Sequence, residues 1–335
     1  MQRLSLLRSR LTHRISVLRV TQNRLLPTRS YVNATGSIHS TVNDDEIAHF
    51  SKLSSEWWDE QGEFSFLHKM NPVRMQFIRE KLVEVAQDEI PELEVQGGVI
   101  LKGLDVLDVG CGGGLLSESL ARMGANTLGI DASSSNIAIA SLHAAADPRL
   151  ASTPNFTSNL SYLNVPAETL LEESKQYDVV CSMEVLEHVD NPAAFLSTCA
   201  QLVKPGGHLF LSTIARTPLA YALTIFLAED ILRQVSSGTH TYSKFVKPSE
   251  LVQFFRDYQS PSSPSMPALA QGDPALSKAR PWITTPASSN YLPRMEAELR
   301  GLVYNPLQAR WILAPRGAWG ALECNYLFWV RKPKV

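Results

Sequence analysis

Two carboxylates and an imidazole, Glu184, Glu187 and His188, stand at positions i, i+3 and i+4 in the stretch "CSMEVLEHVDNP". On a helix that spacing brings all three heads to one face, where they can converge on a single ligand. Oxygen-rich ligation with one imidazole suits Mg²⁺ or Mn²⁺, and Zn²⁺ also accepts such a set. The imidazole alone can act as a general base near neutral pH. A plainer role is also open, because acids at a helix N-terminus are favoured by the macrodipole whether or not anything binds there.

The neighbouring sequence says where these side chains must sit. "VLDVGCGGG" ends a predicted strand with Asp108 and continues through Gly110, Gly112, Gly113 and Gly114 into a helical pattern. Glycines at such a turn let the backbone approach a ligand that a Cβ would exclude. The dinucleotide fingerprint G-x-G-x-x-G, begun at Gly110, needs glycine where Leu115 stands. Asp131, at the end of the next predicted strand in "LGID", is placed to accept the hydroxyls of a ribose. From Leu104 onward, short β-rich runs alternate with helical patterns, the rhythm of a doubly wound, mostly parallel sheet. Further strands are expected at "LSYLNV", "YDVVCSM" and "GGHLFLSTI", and two late ones, at "RWILAP" and "CNYLFWVRK", are expected to pair as an antiparallel edge. The two carboxylates and His188 then follow a parallel strand at its carboxyl end, where open α/β sheets bind ligands.

With 335 residues, 44% of them hydrophobic and 19% charged, the chain can bury a full core. Its net charge of -2 conceals a split, for the first 43 residues carry seven Arg and no Asp, Glu or Lys. Leu4, Leu7, Leu11, Ile15 and Leu18 recur there at helical spacing, an acid-free amphipathic pattern that reads as a mitochondrial transit peptide. The remainder holds 24 basic against 33 acidic residues, so no nucleic-acid partner is expected. Cys111, Cys181, Cys199 and Cys324 are scattered and indicate neither a disulfide scaffold nor a structural zinc. No apolar run approaches the ~20 residues of a spanning helix. Within about 216–236, the run "PLAYALTIFLA" is expected as a buried lid helix or an interfacial one, with Arg216 and Arg233 placed to meet lipid phosphates. Residues 258–290, rich in Pro and Ser, read as a loosely packed surface insertion.

The glycine stretch resembles motif I, D-x-G-x-G-x-G, of the class I S-adenosylmethionine-dependent methyltransferases. Asp131, "YDVVCSMEVLEH" and "LVKPGGHLFLST" resemble that family's later motifs in order. Upstream, "EWWDEQGEFSFLHKMNPVRMQFI" is similar to the N-terminal signature of the ubiquinone-biosynthesis O-methyltransferases, and "AEDILRQVSSGTHTYSKFVKPSEL" and "GLVYNP" extend the likeness. It covers residues 44–257 and resumes at 300. The resemblance implies a Rossmann-like α/β fold over residues 104–335, with a seven-stranded sheet, an antiparallel edge strand and an N-terminal helical cap at 44–103. It implies methyl transfer from S-adenosylmethionine to a hydroxyl of polyprenylated catechols, namely 3,4-dihydroxy-5-polyprenylbenzoate and 3-demethylubiquinol. It further implies cofactor contacts at Arg74, Gly110, Asp131 and Met183, and a metal, Mg²⁺ first, on Glu184, Glu187 and His188. The same likeness implies peripheral attachment to the matrix side of the mitochondrial inner membrane, beside other ubiquinone-biosynthesis proteins.

The side-chain chemistry agrees with several of these implications. An Arg guanidinium pairs bidentately with a carboxylate such as the cofactor's methionine end. Met183 offers a soft apolar wall to adenine, or simply fills the core. A phenol has a pKa of about 10, so phenolate must be made available by a divalent ion or by His188 as base. Trp57, Trp58, Phe64 and Phe66 pack the cap or touch the substrate. A different phenol or a protein side chain as acceptor, and a scaffold that binds cofactor without catalysis, are the competing functions.

Overall fold

The computed structural model describes residues 40–91, 100–153, 157–224, 242–259, 280–286, 288 and 292–334. The expected transit peptide, apart from 40–43, lies outside the described residues, as do 225–236 of the expected lid helix, Arg233 included, and most of 258–290.

The core begins with five parallel strands, β1 (Asp105–Val109), β2 (Asn126–Ile130), β3 (Leu160–Leu163), β4 (Tyr177–Met183) and β5 (Val203–Ile214). The helices α3 (Leu115–Arg122), α4 (Ser134–Ala146) and α5 (Pro192–Gln201) lie between them in the chain. Three antiparallel strands, β6 (Ala297–Asn305), β7 (Arg310–Leu313) and β8 (Asn325–Arg331), complete an eight-stranded sheet in the order β3-β2-β1-β4-β5-β8-β6-β7. That is one strand more than the seven expected. The two late strands do not pair with each other either, because β6 lies between them and bonds to both.

Charged residues hid β6 from the sequence pattern. Glu298 and Arg300 are buried in it, which a strand's apolar signature would not allow without partners. Lys81 and Arg316 pair with Glu298, and Arg300 donates to the carbonyl of Ala314 at 2.9 Å.

Both faces of the parallel region are covered, so β1, β4 and β5 read as nearly continuous apolar runs. On one face lies α2 (Ser65–Glu89), whose Met70, Val73, Phe77, Ile78, Leu82 and Val85 recur at helical spacing and pack with Val106, Val179, Phe210 and Trp329. On the other, α5 and α7 (Pro248–Asp257) pack Phe195, Leu196, Leu251 and Phe255 against Leu107, Val180, Leu209 and Phe328. Part of the expected loose insertion joins this second layer. Trp282 and Ile283 are buried, and their backbone N–H groups donate to the carbonyl of Phe255 at 3.1 and 3.2 Å. A short apolar anchor within a Pro- and Ser-rich run is too small to change its average composition, yet it is enough to fill a core position.

Ahead of α2, the cap starts with α1 (Asp44–Lys52), where Asn43 accepts from the Glu46 amide at 2.9 Å as N-cap. After β5, the described part of the expected lid is α6 (Pro218–Ala220) and the turn to Thr224. Arg216, expected to face lipid phosphates, is instead ion-paired with Glu250.

Candidate active site

The carboxyl ends of β1, β2, β4 and β5, together with α1 and the β6–β7 hairpin, enclose a cleft of about 920 Å³. Gly110, Asp131, Met183, Glu184, Glu187 and His188 all line it. Of the expected site residues only Arg74 is absent from the lining.

The turn after β1 is built for backbone exposure. Gly110 has φ +72°, and a Cβ there would lie 2.5 Å from Cγ2 of Val185. The N–H groups of Gly110 and Cys111 donate to the Ile130 carbonyl at 2.8 and 2.9 Å, which ties the turn to the end of β2. One residue on, Asp131 accepts from the amides of Gly112 (2.9 Å) and Ser133 (2.8 Å) and from Asn136 Nδ2 (3.3 Å). Burial pushes its carboxyl pKa up, against the lowering effect of those donors. The carboxylate is therefore held in a fixed orientation in the cleft wall, as a group meant to accept hydroxyls requires.

The cap closes directly over this turn. A Cβ on Gly112 would come within 2.2 Å of the Trp57 ring, and one on Gly113 within 2.5 Å of the same residue. Trp57 stacks on Phe64 with centroids 3.9 Å apart and donates from Nε1 to Asn136 Oδ1 at 3.0 Å. Trp58 donates to the Gly113 carbonyl at 3.0 Å. Cap packing, one of the two roles open to these tryptophans, is thus realised on the glycine turn. The glycines serve the cap as well as any ligand, a role no sequence signal separates from the first.

Beyond β4 the expected helix start does not form. Glu184 has φ +55°, a left-handed conformation costing a non-glycine residue about 1–3 kcal/mol. Its amide is held by Ser212, through the carbonyl at 3.0 Å and the hydroxyl at 3.1 Å. Only a short 3₁₀ turn, Leu186–His188, follows. The side chains consequently part company. Glu184 Oε1 lies 3.6 Å from Arg74 Nη2, Glu187 Oε2 accepts from the Thr213 hydroxyl at 2.8 Å, and His188 Nδ1 meets Glu46 Oε2 of α1 at 3.1 Å. Among the described residues, no group of three His, Cys, Asp or Glu side chains is arranged to hold a metal ion. The three-ligand set expected from helical spacing is not assembled, because the backbone that would have given that spacing is not helical.

What remains is a buried carboxylate pair. Burial, and then the neighbouring Glu184, pushes the Glu187 carboxyl well above its ordinary pKa. Glu184 Oε1 and Glu187 Oε1 are both buried without a hydrogen-bond partner. Arg74, on the buried face of α2, also keeps Nε and Nη2 without hydrogen bonds, and burial lowers its pKa against the opposing charge of Glu184. Buried polar atoms without hydrogen bonds are rare in folded chains. Arg74 thus faces the Glu184 carboxylate, which itself lines the cleft.

Glu46 went unnoticed in the sequence. It accepts from Lys244 at 3.0 Å as well as meeting His188. Burial raises its carboxyl pKa, but His188 and Lys244 outweigh burial and bring it down to about 2. No periodic signal could have found this contact, which joins residues 142 apart in the chain.

A glycine turn after β1, an acid after β2 and an acceptor cleft over β4 define a class I S-adenosylmethionine-dependent methyltransferase. The family described as "Methyltransferase domain" matches residues 76–259. A ubiquinone biosynthesis O-methyltransferase of Sinorhizobium fredii is 47% identical over 212 residues, covering 63% of this chain and 80% of that protein. Its counterpart in Agrobacterium fabrum is 38% identical over 294 residues, covering 88% and 96%. Among solved structures, magnesium protoporphyrin IX methyltransferase from Synechocystis, with bound SAH, has a TM-score of 0.47 at 16% identity, over 85% of this chain and 94% of that one. The chain belongs to the ubiquinone biosynthesis O-methyltransferase family.

Proposed function

We propose that the chain methylates a hydroxyl of polyprenylated catechols, 3,4-dihydroxy-5-polyprenylbenzoate and 3-demethylubiquinol, during ubiquinone biosynthesis. The observation that carries this reading is one cleft with two unlike walls. Gly110, Asp131 and Met183 form the cofactor wall, while Phe50, Leu53, Phe66, Ile214, Leu219 and Leu223 form an apolar acceptor wall suited to a prenylated ring. The names of the bacterial relatives support the same acceptor class.

S-adenosylmethionine supplies a methyl already activated on a sulfonium sulfur. Asp131 would accept its ribose hydroxyls, the Gly110 turn would let it lie against backbone, and Met183 would line its adenine. His188 would take the phenolic proton of the catechol whose oxygen receives the methyl, the thioether being the leaving group. Glu46 holds that imidazole in place through Nδ1. Arg74 balances the charge of Glu184.

A hard divalent cation, Mg²⁺ first with Mn²⁺ or Zn²⁺ as further candidates, would be held by Glu184, Glu187 and His188 once their side chains turn from Arg74, Thr213 and Glu46 to converge on it. Bound there, a cation would lower the pKa of the catechol. The Arg-rich residues 1–43 support import into mitochondria. The apolar substrate supports a peripheral place on the matrix face of the inner membrane, beside other ubiquinone-biosynthesis proteins.

The test is methyl transfer by purified protein to polyprenyl catechols in liposomes and to short soluble catechols, with and without chelator. Faster turnover of the prenylated acceptor, lost in chelator and restored by Mg²⁺, is expected. Equal rates on both acceptors would overturn the prenyl preference, and undiminished activity in chelator would remove the cation.

A further inference from the structure

Two large apolar side chains stand at the tips of the antiparallel extension and take no part in the core. Leu307, in the turn between β6 and β7, is 95% exposed, and Trp319, in the connection from β7 to β8, is 100% exposed. Neither tip is a loose strand of chain. Asn305 Oδ1 accepts from the amides of Leu307 and Gln308 at 3.0 and 3.3 Å, which fixes the first turn. The second is closed by backbone bonds from Ala318 to Pro315 (3.1 Å) and from Ala321 to Ala318 (3.3 Å), with Gly317 and Gly320 in left-handed conformations on either side of Trp319. Ordered presentation of a Trp and a Leu to water is unfavourable unless something apolar receives them.

Position and charge say what receives them. Pro306 and Gly320, the immediate neighbours of the two side chains, line the cleft, so both tips flank its mouth. From residue 305 to 322 the chain contains Arg310 and Arg316 and no Asp or Glu. Arg316 pairs with Glu84 and Glu298, whereas Arg310 is exposed and bonds the neutral Gln308 at 2.8 Å. Tips that carry an exposed Arg, an aliphatic side chain and an indole, with Glu323 the nearest acid after them in the chain, have the chemistry of an anionic bilayer interface, where Trp sits at the headgroup level and Arg meets phosphate.

We propose that Leu307 and Trp319 are a bilayer-docking pair that seats the mouth of the cleft on an anionic lipid surface. The pair is separate from the apolar segment after β5. It deepens the reading of a membrane-borne acceptor by giving that acceptor a direct path from lipid to the cleft. Because neither side chain lines the cleft, docking and chemistry can be separated by experiment.

The test uses the full chain with vesicles of phosphatidylcholine, with and without cardiolipin, in co-sedimentation. Leu307→Ser and Trp319→Ser are each expected to lower the partition coefficient on cardiolipin vesicles about tenfold, and the double variant more than either. The double variant should methylate a water-soluble catechol at the wild-type rate while losing activity on a vesicle-borne one. Brominated lipid should quench the wild type more than Trp319→Phe. Unchanged partitioning of the double variant, or equal quenching in Trp319→Phe, would overturn the proposal. So would lipid-free self-association that the double variant abolishes, since a second copy would then cover the tips. If the wild type binds vesicles through these residues but methylates no catechol, docking stands and the enzymatic reading fails.

Discussion

The two walls of the cleft treat polarity in opposite ways. On the cofactor wall, Asp131 receives three hydrogen bonds and the Gly110 turn is tied to β2, so the surface is finished before anything binds. Beside it, at the end of β4, Glu187 Oε1 is buried without a hydrogen bond, and Glu184 Oε1 faces Arg74 Nη2 at 3.6 Å as an ion pair without a hydrogen bond. In the cofactor role proposed for it, the first wall gains from rigidity, because little ordering cost is left to be met on binding. The second holds charged groups in ion-pair rather than hydrogen-bond contact, in a buried place where electrostatic effects are strengthened. Strain follows the same division, for the non-glycine residue with left-handed backbone at the site is Glu184, on the second wall.

Substitutions on each wall should fail in different ways. His188→Ala removes the proposed proton acceptor and is expected to lower kcat about a thousandfold with little change in cofactor affinity, read by single-turnover kinetics and calorimetry. Comparable loss of cofactor binding would erase the contrast between the walls. Gly110→Ala places a Cβ against Val185 on a left-handed residue, and cofactor affinity should fall about a hundredfold. Asp131→Ala should raise the KM for S-adenosylmethionine about tenfold or more while leaving kcat nearer to wild type.

The smallest expected effect is on stability rather than rate, and it reports on Asp108. Burial pushes its carboxyl up to about 6, with Ser117 donating to it at 2.6 Å. A carboxyl with a raised pKa contributes stability that is present below its unfolded value and lost as pH rises through the folded one. The denaturation midpoint should therefore fall as pH rises from about 4 to 6, and Asp108→Asn should flatten that slope. An identical slope in the variant would assign the effect to another group. Glu46 works in the opposite sense, since its lowered pKa gives a contribution lost as pH falls from its ordinary value toward about 2.

Local features were legible in the residues. The glycine turn, the acid after β2 and the apolar strands of the parallel half all appear where their patterns place them, since each depends on neighbours within a few positions. Patterns that mix charge with burial were not legible. β6 was missed because Glu298 and Arg300 are satisfied by Lys81, Arg316 and a distant carbonyl, and Trp282 was missed because its surroundings are Pro- and Ser-rich.

By itself, the sequence determined the sheet's parallel half, the glycine turn and the family, because short-range spacing and steric need for glycine express themselves locally. Only the tertiary structure decided how Glu184, Glu187 and His188 divide their work. The bond from Glu184 to Ser212 belongs to a left-handed residue, and the contact of His188 with Glu46 crosses from the fold to its cap. Packing between elements set both, and it turned three residues at helical spacing into a buried carboxylate pair and a separately oriented imidazole.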